Sequence, residues 1–355
     1  MMEKVLQKMK KCRISFCGSG KWVREFHIPE LEKRSDRFEI RGFYDVFREN
    51  SAAAAGEKYR VFNTWEELIR DPETDVILVA TKPVNIHYET TMRLLEAGKN
   101  VILEKPMTYS SAQCDALIAR AKEKKVIFTV NHNLRCSVCL KAAQEVIRLR
   151  HVGDPVIIEI TTPRSWYDRI DFSNYAVHMI DQAFALNRSP LKEVSALTVH
   201  PDLPMSECGY GAALLRFEKP PVIYLSLLPH PALQPGQEDS SPSREYFRFL
   251  VCGTEDSFGI RNLSHIPERE QLLCGKYYYF DRKEPDFSRP EFVANLDKAW
   301  YDYFYESWAD GAPLLVSPEE ARNNIRCAEL ITESARLSRT VAASGMLPAR
   351  EEWPI

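Results

Sequence analysis

A chain of 355 residues with 45% apolar and 27% charged side chains is long enough for two domains and apolar enough for an ordinary core. Its 47 basic and 50 acidic side chains leave a formal charge of −3 with no long basic run, which argues against a nucleic-acid partner. No apolar stretch approaches the roughly 18 residues of a membrane span, and Met1 to Lys11 is basic without the apolar centre of a secretory signal, so a cytoplasmic protein with no membrane partner is expected.

Arg13 to Cys17 reads as a short strand running into Gly18-Ser19-Gly20 and a helical stretch from Trp22 to Lys33. Strand, glycines and helix in that order are the setting of a dinucleotide fingerprint, here GxGxxV, because Val23 stands where a small residue would let helix and strand pack closely. Gly18 and Gly20 would let backbone approach a pyrophosphate, and the helix amino end favours its negative charge. The next strand, Glu39 to Tyr44, ends at Asp45, placed to accept from an adenosine ribose 2′-hydroxyl. An acid there repels a 2′-phosphate and favours NAD, while the nearby Arg48 keeps NADP in play.

The alternation continues with helix Thr64 to Arg70, strand Asp75 to Ala80, helix Ile86 to Ala97, strand Val101 to Leu103, helix Ser111 to Lys124 and strand Val126 to Val130. Strands interleaved with helices mean a parallel sheet with ligands outside the strand carboxyl ends. Thr81, Lys105 and Asn131 to Asn133 fall at such ends. Val101-Ile102-Leu103-Glu104-Lys105-Pro106 is a buried strand closing on a lysine whose direction the proline restricts.

After residue 133 the rhythm changes. A helix from Leu140 to Arg150 leads into extended stretches at Val156 to Thr162, Val194 to Val199, Ala212 to Phe217, Val222 to Leu228, Tyr246 to Cys252 and Lys276 to Phe280. Consecutive strands predict a mainly antiparallel sheet, hence an α/β chain with a dinucleotide-binding domain over 1–133 and an α+β domain over 134–355. Pro229 to Ser243 is expected to be a long loop, and helices at Phe292 to Ala309 and Pro318 to Val341 close the chain. The aromatic residues Trp300, Tyr301, Tyr303, Phe304, Tyr305 and Trp308 suit helix core or a subunit interface better than a binding site. Nine scattered cysteines favour reduced thiols. Cys136 and Cys139 form a CxxC pair without further ligands at metal spacing, so no metal is expected.

A helix from Asn174 to Leu186 would put Asn174, His178 and Asp181 on one face. A histidine between an amide and a carboxylate is oriented for proton transfer, with a structural histidine as the alternative. Arg164, Trp166, Tyr167 and Arg169 precede it on a loop whose aromatic and guanidinium groups suit a sugar ring or an acidic substituent.

Gly18-Ser19-Gly20 with His27-Ile28-Pro29, Asp45, Pro83-Val84-Asn85-Ile86-His87-Tyr88-Glu89, Glu104-Lys105-Pro106, Arg135 and His178-Met179-Ile180-Asp181 resemble, in order, the motifs of the Gfo/Idh/MocA family of nicotinamide-dependent sugar and inositol oxidoreductases. The resemblance implies that the domain over 1–133 is a Rossmann domain, that the lysine of Glu-Lys-Pro, Lys105, contacts the substrate alcohol and the nicotinamide, and that His178 is the general base. It departs in two places. Asn174 stands where the family commonly has an aspartate, and an amide cannot stabilise a positive charge on His178 as a carboxylate would. Lys82 separates Thr81 from Pro83.

The expected cofactor contacts are Gly18, Ser19, Gly20, Lys21, Trp22, Asp45, Thr81, His87, Glu104 and Lys105. The expected substrate contacts are Lys105, Arg135, Arg164, Tyr167, Asn174, His178 and Asp181, with Lys105, His178 and Asn174 catalytic. The expected activity is oxidation of a secondary alcohol on a carbohydrate or polyol, by a homodimer or homotetramer formed through the open sheet. Two alternatives remain: redox-neutral glycoside cleavage or epimerisation with tightly held NAD, and a non-enzymatic sensor.

Overall fold

The computed structural model describes residues 10–164, 174, 176–203, 211–229, 245–263, 276–278, 287–348 and 350. Strands β1 (Cys12–Cys17), β2 (Phe38–Tyr44), β3 (Arg60–Val61), β4 (Val76–Val79), β5 (Asn100–Glu104) and β6 (Phe128–Asn131) pair in parallel in the order 3-2-1-4-5-6. Between them run helices α1 (Ile28–Glu32), α2 (Arg48–Ala55), α3 (Trp65–Arg70), α4 (His87–Glu96) and α5 (Ser111–Lys124). Val76–Val79 and Val101–Leu103 are inaccessible, as a parallel sheet covered on both faces requires. The strand order reverses between β1 and β4, so the crevice that binds ligands in such sheets opens beside Gly18 and Ala80.

The helix expected from Trp22 to Lys33 is not uniform. It starts as a π turn, Val23–His27, and continues as α1. The wider turn seats Val23, fully buried, where a small residue would otherwise stand.

The second sheet follows α6 (Val138–Arg148) and is built from β7 (Pro155–Arg164), β8 (Leu191–Thr198), β9 (Gly211–Phe217), β10 (Val222–Pro229), β11 (Glu245–Gly253), β12 (Ser257–Leu263), β13 (Lys276–Tyr278) and β14 (Val341–Ala342). The order is 13-12-11-7-10-9-8-14, antiparallel except where β10 lies parallel to β7. One face packs on α6 and α7 (Val177–Leu186), while Ile157, Leu197 and Leu214 stand exposed on the sheet.

The helix expected over 292–309 is two, α8 (Pro290–Asp297) and α9 (Trp300–Asp310). The last helix, α10 (Pro318–Leu337), stops earlier than expected because Ser338 turns left-handed at φ 50, and the chain beyond it adds β14 to the second sheet. The aromatic face of α9 enters the core of the first sheet: Trp300, Tyr301, Tyr303 and Phe304 are buried with Phe16, Phe38 and Phe43. Asp302 accepts from Arg34 at 3.0 Å and from Arg37 at 2.8 Å. The loop expected over Pro229 to Ser243 lies outside the described residues beyond Pro229. No helix among the described residues is long and apolar enough to cross a membrane.

Candidate active site

The carboxyl ends of β1, β2 and β4 enclose a cleft of about 400 Å³ lined by Gly18, Gly20, Lys21, Trp22, Asp45, Phe47, Trp65, Thr81, Lys82 and Arg93, among others. The two glycines differ in what requires them. Gly18 has φ +91, and a Cβ there would stand 2.5 Å from the Ala80 carbonyl oxygen, so the fold itself excludes a side chain. A Cβ on Gly20 would meet nothing within 4 Å. Its bareness leaves room at the amino end of the helix, as a pyrophosphate would need. Asp45 Oδ2 accepts from the Ser19 amide at 2.8 Å and Oδ1 from the Phe47 amide at 3.0 Å, which ties the glycine loop to the end of β2. Thr81 Oγ1 has no protein hydrogen-bond partner. These residues fit a dinucleotide.

Lys105 stands at the end of β5, and its Nζ donates to the main-chain carbonyl of Asn174 at 3.2 Å. The residues on either side of it are fixed. Glu104 is buried, accepting from Asn131 Nδ2 at 2.6 Å and lying 2.9 Å from His27 Nε2, while His27 Nδ1 meets the Tyr301 hydroxyl at 2.6 Å. Burial alone would raise the Glu104 pKa, but His27, Asn131 and Lys105 together hold it below the usual value. His87 joins the loops after β4 and β5, with Nδ1 2.9 Å from the Pro106 carbonyl and Nε2 3.0 Å from the Thr81 carbonyl.

Across the crevice His178 lies on the first turn of α7, 5% exposed. His132, one residue past β6, packs edge to face against it with ring centroids 5.8 Å apart. Behind the pair is a buried salt bridge: Arg135 Nε and Nη2 donate to Asp181 at 2.7 and 2.6 Å, and Asn324 Nδ2 of α10 donates to Asp181 Oδ1 at 2.9 Å. Desolvation would raise the Asp181 pKa, but Arg135 and its other partners hold it below the usual carboxylate value. His132 is pushed down, by burial first and by Arg135 and Lys105 next, and so stays neutral near pH 7. Glu320 faces Arg135 at 3.6 Å from the first turn of α10, where it also completes a capping box with Ser317.

Residues 12–132 match the oxidoreductase family with the NAD-binding Rossmann fold, Gfo/Idh/MocA. The N-terminal domain of the chain is thus of the Gfo/Idh/MocA NAD-binding type. It is 28% identical to the uncharacterised oxidoreductase YhhX of Escherichia coli, over 93% of this chain and 98% of that protein. It is 24% identical to the scyllo-inositol 2-dehydrogenase (NADP(+)) IolW of Bacillus subtilis, over 94% and 97%. The WlbA dehydrogenase of Bordetella pertussis, solved with NADH and UDP-GlcNAcA, superposes with a TM-score of 0.75 at 19% identity, covering 96% of this chain and 99% of that one, a likeness of fold.

The structure sorts the expected site residues into three groups. Gly18, Gly20, Lys21, Trp22, Asp45 and Thr81 line the cleft, with Ser19 bonded to Asp45 beneath it. Lys105 follows the end of β5 and His178 lies in the first turn of α7. Glu104, His87, Arg135 and Asp181 are turned inward. Glu104 and His87, expected at the cofactor, are 7% and 1% exposed and bond protein groups instead. Arg135 and Asp181, expected at the substrate, are each 1% exposed and pair with one another. Asn174 does not belong to the histidine helix, which begins at Val177, so the helical spacing that joined it to His178 does not apply. Its main-chain carbonyl accepts from Lys105 Nζ at 3.2 Å. Tyr167, Trp166 and Arg169 lie outside the described residues, as does the side chain of Arg164, whose backbone ends β7. His132 lies within the Asn131 to Asn133 segment expected at a strand end, although no role was assigned to it, and Asn324 was not singled out from sequence. His132 obeys the end-of-strand rule that drew attention to Lys105, whereas nothing local to Asn324 points to the crevice.

Proposed function

We propose that this protein is an NAD-dependent dehydrogenase that oxidises a secondary alcohol of a sugar, sugar derivative or inositol. The observation that carries it is Lys105, an amine at the carboxyl end of β5 that reaches across to Asn174 O and so stands between the cofactor cleft and the His178 helix. The substrate class is supported by the inositol dehydrogenase among its relatives. Lys105 donates to the substrate hydroxyl oxygen and orients it, and His178 takes the hydroxyl proton as the carbonyl forms. NAD, when bound, accepts the hydride. Asp45, fixed by two loop amides, places a carboxylate where a 2′-phosphate would be repelled, so NAD is preferred over NADP.

The test mixes purified protein with excess NAD and a panel of pyranosides, sugar acids and inositols, and counts NADH formed per enzyme molecule. Many equivalents are expected with at least one compound. Lys105→Ala should lower turnover by about 1000-fold, within the usual range for removing a positioned proton-transfer group, with NADH affinity changed less than about threefold. Turnover surviving in Lys105→Ala would sink the assignment. Substrate consumed with one equivalent of NADH or less would identify redox-neutral chemistry instead.

A further inference from the structure

We propose that His132 is a positioning residue for His178, fixed as its Nδ1–H tautomer between Asn324 and Asp181. The inference rests on His178 as the base. Asn174 carries no charge and precedes the histidine helix. His132 packs directly on His178: its ring lies at 88° to the His178 ring with centroids 5.8 Å apart, and it is itself 1% exposed.

Its tautomer follows from its neighbours. The Asn324 amide nitrogen, which already donates to Asp181, also faces His132 Nε2 at 3.4 Å. An amide NH2 only donates, so Nε2 accepts, and the single proton of a neutral imidazole resides on Nδ1. Nδ1 in turn is 4.0 Å from Asp181 Oδ1, the carboxylate that would attract an N–H. The surroundings favour the neutral ring. Arg135 from the turn after β6 and Lys105 from β5 oppose a charge on His132, and burial opposes it more, against the attraction of Asp181 and Glu104. Glu320 lies beyond Arg135, and the charged Lys141 and Glu145 of α6 meet the far end of α7, near Ala185. A neutral ring anchored on one edge by an amide is a rigid wall for the imidazole packed against it.

The experiment is 15N NMR of the ring nitrogens in histidine-labelled, full-length protein, with the His178 and His132 signals assigned by their loss on substitution. In the wild type, His132 should show the protonated Nδ1 and bare Nε2 of one tautomer, and His178 should also show one fixed tautomer. In His132→Ala the His178 nitrogens should converge toward an averaged pair, kcat should fall about 100-fold, and KM and NADH affinity should stay within about threefold, the signature of an interaction made in the transition state. His132→Gln, which can still accept from Asn324 and donate, should recover at least tenfold of the lost kcat. An Nε2–H tautomer for His132, or an unmoved His178 signal in His132→Ala, overturns the proposal, as does a loss shared by kcat and KM that Gln does not rescue. Turnover surviving His178→Ala removes the base assignment instead, and the ring signals still decide whether His132 holds His178.

Discussion

The supports behind Lys105 and behind His178 are made differently. Lys105 is flanked by a chain of polar contacts, with Tyr301 hydrogen-bonded to His27, His27 2.9 Å from Glu104 and Asn131 hydrogen-bonded to Glu104, and His87 holding the next turn. His178 is backed by His132 and, behind that, by a guanidinium and a carboxylate that are both sealed from water. A chain of hydrogen bonds weakens by degrees when one member is lost, whereas a buried ion pair fails outright because the surviving charge has no solvent. The lysine side should therefore tolerate trimming and the histidine side should not.

Asp181→Asn is the strongest way to break that contrast. It leaves Arg135 buried beside a neutral amide, with Glu320 at 3.6 Å as the remaining carboxylate, and should cost about 3 kcal/mol in urea unfolding. A loss below about 1 kcal/mol would mean that the pair is solvated after all. Glu104→Gln keeps the shape on the lysine side and loses one charged acceptor, with an expected cost of about 1–3 kcal/mol by the same measurement. Tyr301→Phe removes a single buried hydroxyl and should cost about 1 kcal/mol. If Tyr301→Phe proved more damaging than Asp181→Asn, the ordering of the two supports would be reversed.

Acidity sharpens the comparison most gently. His87 and His132 both have depressed pKa values, chiefly from burial. The unfolded chain would take protons on these rings near pH 6.5 while the folded chain refuses them. Their contribution is therefore complete above that pH and declines as pH falls toward the folded values, by at most about 1.4 kcal/mol per histidine per pH unit. The urea midpoint should drop between pH 7.5 and pH 5.5, conditions chosen to bracket that unfolded value. Asp181 and Glu104, also depressed, should matter only below about pH 4, where free carboxylates titrate. A midpoint that rose toward pH 5.5 would contradict the depressed pKa values of the two buried rings.

The first sheet was readable because strands buried on both faces are short apolar runs with abrupt ends, and the ends of β1, β2 and β5 fall at Gly18, Asp45 and Lys105. What sequence did not reveal was which way a polar side chain faces. Glu104 and Lys105 are neighbours, yet one belongs to the core and the other to the crevice, because successive residues leaving a strand point to opposite sides. Arg135 and Asp181 looked like substrate contacts for the same reason: a charge near a crevice and a charge beneath it have the same letters. Asn324 and the aromatic face of α9 depend on where distant helices return, which no local pattern encodes.

The return of α9 also sets the order of events during synthesis. Phe38 packs edge to face against Tyr301 and Tyr305, and the hydroxyl partner of His27 comes from the same helix. A ribosome adding about 5–20 residues per second makes the six parallel strands well before it reaches Trp300, leaving one side of that sheet bare for roughly ten to forty seconds. The nascent sheet has to be shielded for that interval. A chain released short of α9 would carry its dinucleotide fingerprint intact and still present an open aromatic seam to the cell.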